Sequence, residues 1–367
     1  MTGMRMTDIL FIKTSSLGDV IHHMPAVTEA RRQYPDAHIA WVVEEAFAPL
    51  ARLHPGVNAV IPVASRRWRH APFAAATWRE IGAFRATLRA RAYDAVIDTQ
   101  GLARTALIAR AARGTRYGYD TASVRERVAA WFYDKTFRVG RQLHAIERNR
   151  VLTALALGYT MRFPPDYGLQ ERVAQTPGNY AVLLHATAQV GKEWPEANWI
   201  ALGGQIATRG IEVLLPWGND RERDRAERLK AAIPGARVPA RQPLDAVAAM
   251  LAGARFVVGV DTGLVHLAAA LNVPLVAIFT GSVPALTGPV GTAPLAVVGA
   301  QGLVPSVGEV ANSTARSVCF HSASSRSRSS WTGRSPVTSR EAPAPVPQRS
   351  MAACAPAITA GWMLRPR

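Results

Sequence analysis

The chain has 367 residues, 49% of them hydrophobic and 19% charged, which suits two packed lobes of roughly 150 residues each better than one core. The formal charge of +17 is spread along the sequence without the interleaved aromatic platform of a nucleic-acid binder, so nucleic acid is set aside and an anionic membrane surface or phosphorylated lipid is expected as partner. Cys319 and Cys354, the only cysteines, lie near the C-terminal end, which excludes a disulfide framework or thiolate metal site in the body of the protein and fits a reducing compartment.

No stretch approaches the ~18 apolar residues of a membrane-spanning helix. The opening MTGMRMTDILFIK runs directly into a strand-like segment without the features of a secretory signal, so a cytoplasmic protein is expected.

In chain order, short apolar runs alternate with amphipathic segments. ILFIK (9–13) precedes a helix from Val20, HIAWVVE (38–44) a short helix, and AVIPV (59–63) a long helical pattern from Phe73 to Ala92. AVIDTQG (95–101) follows, then helical stretches at 103–112 and 123–134. This is the rhythm of a parallel α/β sheet. Pro164, Pro165, Gly168, Pro177 and Gly178 interrupt it, and the domain boundary is expected there, with lobes at 1–168 and 178–311. The second lobe repeats the rhythm: YAVLLHA (180–186), helices from Glu196 and Asp220 flanking EVLLPWG (212–218), a helix at 244–252, RFVVGVD (255–261), a helix from Gly263 and LVAIFT (275–280). Two doubly wound sheets are predicted.

From about Asn312 the sequence turns Ser/Arg-rich and then Pro/Ala-rich, with eight arginines against one glutamate through to residue 367. A disordered tail and an ending foreign to the rest, such as a shifted reading frame, both account for this.

Four loops carry candidate chemistry. KTSSLGDV (13–20) joins the first strand to the first helix at the carboxyl edge of a parallel sheet, where such folds bind ligands, so Lys13 through Asp19 face a cleft. Gly18 permits close backbone approach, and Asp19 is either a helix cap or a carboxylate placed to accept a proton from a hydroxyl. GVDTGLVHLAAAL (259–271) repeats the geometry: Asp261, Thr262 and Gly263 stand where a helix start attracts phosphate, and His266 is either structural or a donor to a phosphate oxygen. HATAQVGKEWPEANW (185–199) places Thr187 and Lys192, one of four lysines, above the same edge. Glu222, in LLPWGNDRERDRAERL (214–229), either accepts ribose hydroxyls or belongs to a surface ladder with arginine. The local basic cluster SRRWRH (65–70) reads as a loop whose Arg66, Arg67, Arg69 and His70 meet phosphates or merely solvent. Neither a Walker motif nor G-x-G-x-x-G occurs, which weakens a dehydrogenase reading.

KTSSLGDVIHHMPA, RRWR, DTQGL, HAIERNR, HATAQVGKEWPEANW, LLPWG and GVDTGLVHLAAAL, in this order over residues 6–300, resemble the ADP-heptose:lipopolysaccharide heptosyltransferases, glycosyltransferase family 9, and most closely the members that add the first heptose. The resemblance implies a GT-B fold of two Rossmann-like domains facing a central cleft, and inverting transfer of L-glycero-D-manno-heptose from ADP-heptose to Kdo2-lipid A without metal or other cofactor, by an enzyme held peripherally at the cytoplasmic face of the inner membrane. It makes Asp19 the general base, with an ordinary carboxylate pKa of about 4 expected. It assigns Thr187, Lys192, Glu222, Asp261, Thr262, Gly263 and His266 to the donor, and Lys13, Ser15, Gly18, Arg66, Arg67, Arg69, Gln100 and Arg125 to the acceptor side.

Three departures stand out. Ala188 replaces a usual threonine, Ser282-Val283-Pro284 replaces Thr-Asp-Pro, and the family's last helix, which crosses back to the first lobe, has no evident counterpart in the tail. The alternatives are a transferase acting at a later core position and a nucleotide-sugar-binding protein without catalysis, with a dehydrogenase third.

Overall fold

The computed structural model describes residues 6–299 and 304–326. Six strands, β1 (Asp8–Ile12), β2 (His38–Glu44), β3 (Ala59–Val63), β4 (Ala92–Asp98), β5 (Arg113–Tyr119) and β6 (Lys135–Phe137), form one sheet in the order β3-β2-β1-β4-β5-β6. Every pairing is parallel. Around it lie α1 (Leu17–Gln33), α2 (Ala48–Arg52), α3 (Ser65–His70), α4 (Ala75–Arg89), α5 (Ala103–Ala111) and α6 (Ala145–Leu157). Residues 158–179 contain no helix or strand.

The second sheet has the order β11-β10-β9-β7-β8 and is again all parallel. Its strands are β7 (Tyr180–Leu184), β8 (Glu212–Leu214), β9 (Phe256–Val260), β10 (Leu275–Ile278) and β11 (Leu295–Val298). Its helices are α7 (Glu196–Ala207), α8 (Asp220–Ala232), α9 (Leu244–Ala252), α10 (Gly263–Ala270), α11 (Pro284–Thr287) and α12 (Val307–Arg326).

Strands covered on both faces need unbroken apolar runs, and Ile9, Leu10, Phe11 and Ile12 are fully buried, as are Val257, Val258 and Val260. Each such side chain contributes about 1.5–3 kcal/mol by leaving water. Strand order reverses between β1 and β4 in one lobe and between β7 and β9 in the other. The loops after these four strands therefore diverge and leave crevices at the carboxyl edges, where ligands of open α/β sheets bind.

Several expectations are corrected. Helix α1 begins at Leu17, not Val20, because Ser16 and Asp19 close a capping box in which Asp19 Oδ2 accepts the Ser16 N–H at 3.0 Å. The segment 123–134 holds only a 3₁₀ turn at Arg127–Phe132, and β5 and β6 flank it. The edge strand β6 is only three residues long and β5 reads RGTRYGY, so neither has the apolar run that betrays a buried strand. SRRWRH is helix α3 and not a loop, because Glu44 at the end of β2 accepts the Ser65 hydroxyl at 2.6 Å and the Arg66 N–H at 3.0 Å. Helix α6 escaped the pattern because it is buried on several sides, by Ile146, Leu152, Ala156 and the charged Arg150 alike.

The expected disorder from residue 312 is overturned as far as Arg326, which ends α12. Val310, Ser313 and Thr314 of α12 are buried, and the helix packs on β9, β10, β11 and α7 of its own lobe. The rest of the tail, to residue 367, lies outside the described residues. Among those described, no helix is long and apolar enough to cross a membrane.

Candidate active site

The loop after β1 and the loop after β4 build the first half of the site. Lys13 is buried, and its Nζ donates to the Thr99 carbonyl at 3.0 Å and to Asn149 Oδ1 at 3.4 Å, 4.0 Å from Asp19 Oδ1. Burial pushes the Lys13 ammonium below its ordinary pKa. Gln100 Oε1 accepts the N–H groups of Thr14 and Ser15, both at 3.2 Å, and so fixes the loop that presents Asp19. Beneath it the fully buried Asp98 accepts the N–H groups of Gln100 and Gly101 and the Tyr133 hydroxyl, and burial raises its pKa. The Ser15 hydroxyl accepts from Arg104 Nη2 at 2.8 Å.

Asp19 is at once the cap residue and the wall of a pocket, so the two readings of it do not compete. Arg125 Nη1 lies 3.6 Å from its Oδ2. Burial acts to raise the Asp19 pKa, but Lys13, Arg125 and the Ser16 N–H outweigh it and hold the carboxyl below its ordinary value, lower than the sequence suggested. The pocket is lined by Lys13, Asp19, Gln100 and Arg125 together with Arg141 from the turn before α6 and Arg148 and Asn149 from its start, and by Leu286 and Thr287 of the second lobe. Arg141 and Arg148 were not singled out from sequence. The HAIERNR segment (144–150) was the only signal for Arg148 and says nothing of distance to Asp19, and Arg141 lies outside every motif.

Arg66, Arg67 and Arg69 do not line this pocket. Arg67 is engaged by Glu45 at 3.1 Å and Glu80 at 2.8 Å, Arg66 lies over the Phe47 ring, and Arg69 donates to the Ser65 carbonyl. They stand at the same carboxyl edge two strands away, beyond β2.

The second half lies on the other lobe. Lys192 Nζ pairs with Asp261 Oδ2 at 2.9 Å, Ser282 also donates to that oxygen, and the Thr187 hydroxyl donates to the Asp261 carbonyl at 3.1 Å. Ser282, a departure from the family pattern, thus belongs to the same cluster, while Ala188 and Val283 are exposed. Thr262 is the residue preceding α10, with Gly263 in its first turn. Glu222 caps its own helix, accepting from the Gly218 N–H and the Asn219 amide, both at 2.8 Å.

Two glycines bring the halves together. A Cβ on Gly18 would stand 3.0 Å from His266 Cδ2, and one on Gly263 would stand 2.6 Å from Leu17 Cβ. Gly18 therefore makes room for the other lobe, where sequence had assigned that room to a ligand. His266 is buried, with Nδ1 3.2 Å from His22 Nε2 of α1, and its pKa is lowered to about 4 by burial. It stands between the lobes, close enough to Asp261 and Asp19 to feel both charges.

The arrangement joins an ionised carboxylate in a cationic pocket to a helix start and lysine suited to a diphosphate. The profile of glycosyltransferase family 9 (heptosyltransferase) matches residues 81–312. Lipopolysaccharide heptosyltransferase 1 of Escherichia coli strain K12 is 45% identical over 289 residues, 77% of this chain and 91% of that protein. That of Pseudomonas aeruginosa is 46% identical over 288 residues, 77% and 81% of the two chains. The solved structure of E. coli heptosyltransferase WaaC with ADP superimposes with a TM-score of 0.78 at 42% identity, covering 84% of this chain and 98% of that one. WaaC with ADP-2-deoxy-2-fluoro heptose gives 0.76 at 40% identity, covering 86% and 100%. The fold is that of these enzymes, GT-B, and the chain belongs to glycosyltransferase family 9, the heptosyltransferases.

Proposed function

We propose that this enzyme transfers L-glycero-D-manno-heptose from ADP-heptose to a Kdo hydroxyl of Kdo2-lipid A, with inversion, at the cytoplasmic face of the inner membrane. The observation that carries the reading is the meeting of the Asp19 loop with the start of α10 across Gly18 and His266. In this reading, that contact sets the Asp19 carboxylate of one lobe, as proton acceptor, beside the α10 start of the other, as sugar-diphosphate site.

In this reading Asp19 takes the proton of the attacking hydroxyl while its oxygen bonds to the anomeric carbon and the bond from that carbon to the diphosphate breaks. Asp19 is held ionised by Lys13 and Arg125, so it is always ready to accept. The ADP that leaves gains negative charge, which Lys192 and the N–H groups at the start of α10 stabilise, so neither metal nor cofactor is required. Thr187, Asp261, Thr262, Gly263 and His266 frame the diphosphate, and Glu222 meets the nucleoside. Lys13, Ser15, Gly18, Gln100 and Arg125 shape the acceptor side, with Arg66, Arg67 and Arg69 receiving acceptor phosphates further along the edge. The relatives support the donor, since WaaC was solved with ADP and an ADP-heptose analogue, and the name of the similar proteins, lipopolysaccharide heptosyltransferase 1, supports a lipopolysaccharide acceptor. The membrane contact rests on the acceptor's lipid anchor and the chain's charge, and nucleic acid has no part in it.

The test is a mass-spectrometric transfer assay with ADP-heptose. Addition of one heptose to Kdo2-lipid A is expected, with none to an acceptor already carrying heptose. The reverse preference would move the enzyme to a later core position, and ADP-heptose binding without transfer would reduce it to a binding protein.

A further inference from the structure

Helix α4 presents two unlike sides. Thr77, Phe84 and Leu88 point inward and are buried. An exposed stripe along its flank carries Trp78, Arg85 and Arg89 at helical spacing, and Arg79 beside Trp78 is exposed as well. Among the described residues no carboxylate pairs with Arg79, Arg85 or Arg89, and the stripe itself carries no acid.

The turn leading into this helix shows Ala71, Pro72, Phe73 and Ala74 to solvent. Phe73 is 95% exposed and Trp78 62%. The turn is built: the Thr77 hydroxyl donates to the Ala71 carbonyl at 2.8 Å and the Ala74 N–H to the same oxygen at 3.2 Å. Trp68 of α3 fastens it to α4, donating to Glu80 at 2.8 Å and packing its ring edge-on to Phe84. Beyond α4 lies α5, which packs in turn against the Arg127–Phe132 turn, and these add Leu107 at 54% exposure and Trp131 at 77%.

Two properties select the occupant. Arginines alone would suit any polyanion, but a held-out Phe and Trp beside unpaired arginines, with no acid among them, match the headgroup boundary of an anionic bilayer, which rewards interfacial aromatics and basic side chains together. A second copy of the chain would bring the same positive face and be repelled. The segment that carries Arg125 into the Asp19 pocket runs directly into the turn that bears Trp131, so the face adjoins the acceptor side of the site.

We propose that the outer face of α4, with Phe73 and Trp78 as its wedge, docks this lobe on an anionic phospholipid bilayer. The proposal rests on the reading above, that the acceptor is anchored in lipid.

The test is flotation of the full chain with phosphatidylethanolamine–phosphatidylglycerol vesicles and with phosphatidylcholine vesicles. Binding is expected to the anionic vesicles only, weakening with salt. The pairs F73S/W78S and R79E/R85E are each expected to lower the bound fraction at least ~tenfold, with unchanged melting temperature and unchanged turnover on detergent-dispersed acceptor. Variants that float like the wild type would overturn the proposal. So would an equal loss of turnover on the dispersed acceptor, which makes the face an acceptor subsite, or a wild-type dimer that the substitutions dissociate, which makes it a self-interface. Selective loss of vesicle binding by the variants, in a wild-type protein that transfers no heptose, would uphold the docking face and remove the functional reading alone.

Discussion

The two halves of the cleft use the same strand–loop–helix unit but hold their charges differently. In the first lobe Lys13, Gln100 and Asp98 are buried and their polar atoms are spent on backbone groups and on the buried side chains of Asn149 and Tyr133. In the second, Lys192 and Asp261 are paired at partly exposed positions, and Glu222 caps its own helix at the surface. A group bonded to buried backbone cannot move without leaving polar atoms unsatisfied. A partly exposed ion pair exchanges partners at little cost. The first half is thus rigid and suited to holding a base in place, and the second is free to hand its lysine to an arriving diphosphate.

Acidification probes the framework common to both halves and has the largest expected effect. Burial lowers His54 of the first lobe, His185 of the second and His266 between them to about 4. Their pKa values are depressed on folding, so the unfolded chain takes up protons first as pH falls. Stability is therefore retained above about pH 6.5 and lost between there and about pH 4. The loss is on the order of 3 kcal/mol for each histidine. Melting curves at pH 7.5 and 5 check this, and coincident loss in both lobes is the expected outcome; a melting temperature independent of pH would contradict it.

Asp19→Asn keeps the shape of the cap and removes the proton acceptor. Turnover should fall at least ~100-fold, the scale of general-base loss, with ADP-heptose affinity unchanged by calorimetry. If turnover is retained, the rigid half does not hold the base. Lys192→Ala tests the exchangeable half. Donor affinity should weaken by about 2 kcal/mol, the scale of a charge-assisted hydrogen bond, with a smaller effect on the melting temperature, because Ser282 still donates to Asp261 when the lysine is gone. Unchanged affinity would mean that Lys192 stays with Asp261 when donor binds.

Much of this was legible beforehand. The β2 and β3 ranges match the apolar runs HIAWVVE and AVIPV residue for residue, and Asp19, Lys192 and Asp261 all follow strands at the predicted carboxyl edges, Asp19 in the first turn of α1. What escaped were features whose cause lies far along the chain. Helix α3 depends on Glu44 of another strand, and Arg67 is occupied by Glu80 of another helix. Arg141 and Arg148 line the Asp19 pocket only because α6 and the turn before it return to the first sheet edge.

Hydrophobic runs, helical spacing and loop chemistry are properties of neighbouring residues, so the order of strands and helices and the likeness to a two-lobed transferase were set by the sequence itself. Only the tertiary structure decided that Gly18 and Gly263 serve the contact between lobes, that Asp19 is both cap and pocket wall, and that Phe73 and Trp78 stay outside the core. Each of these depends on which distant atoms occupy the space beside a residue, and local pattern carries no record of that.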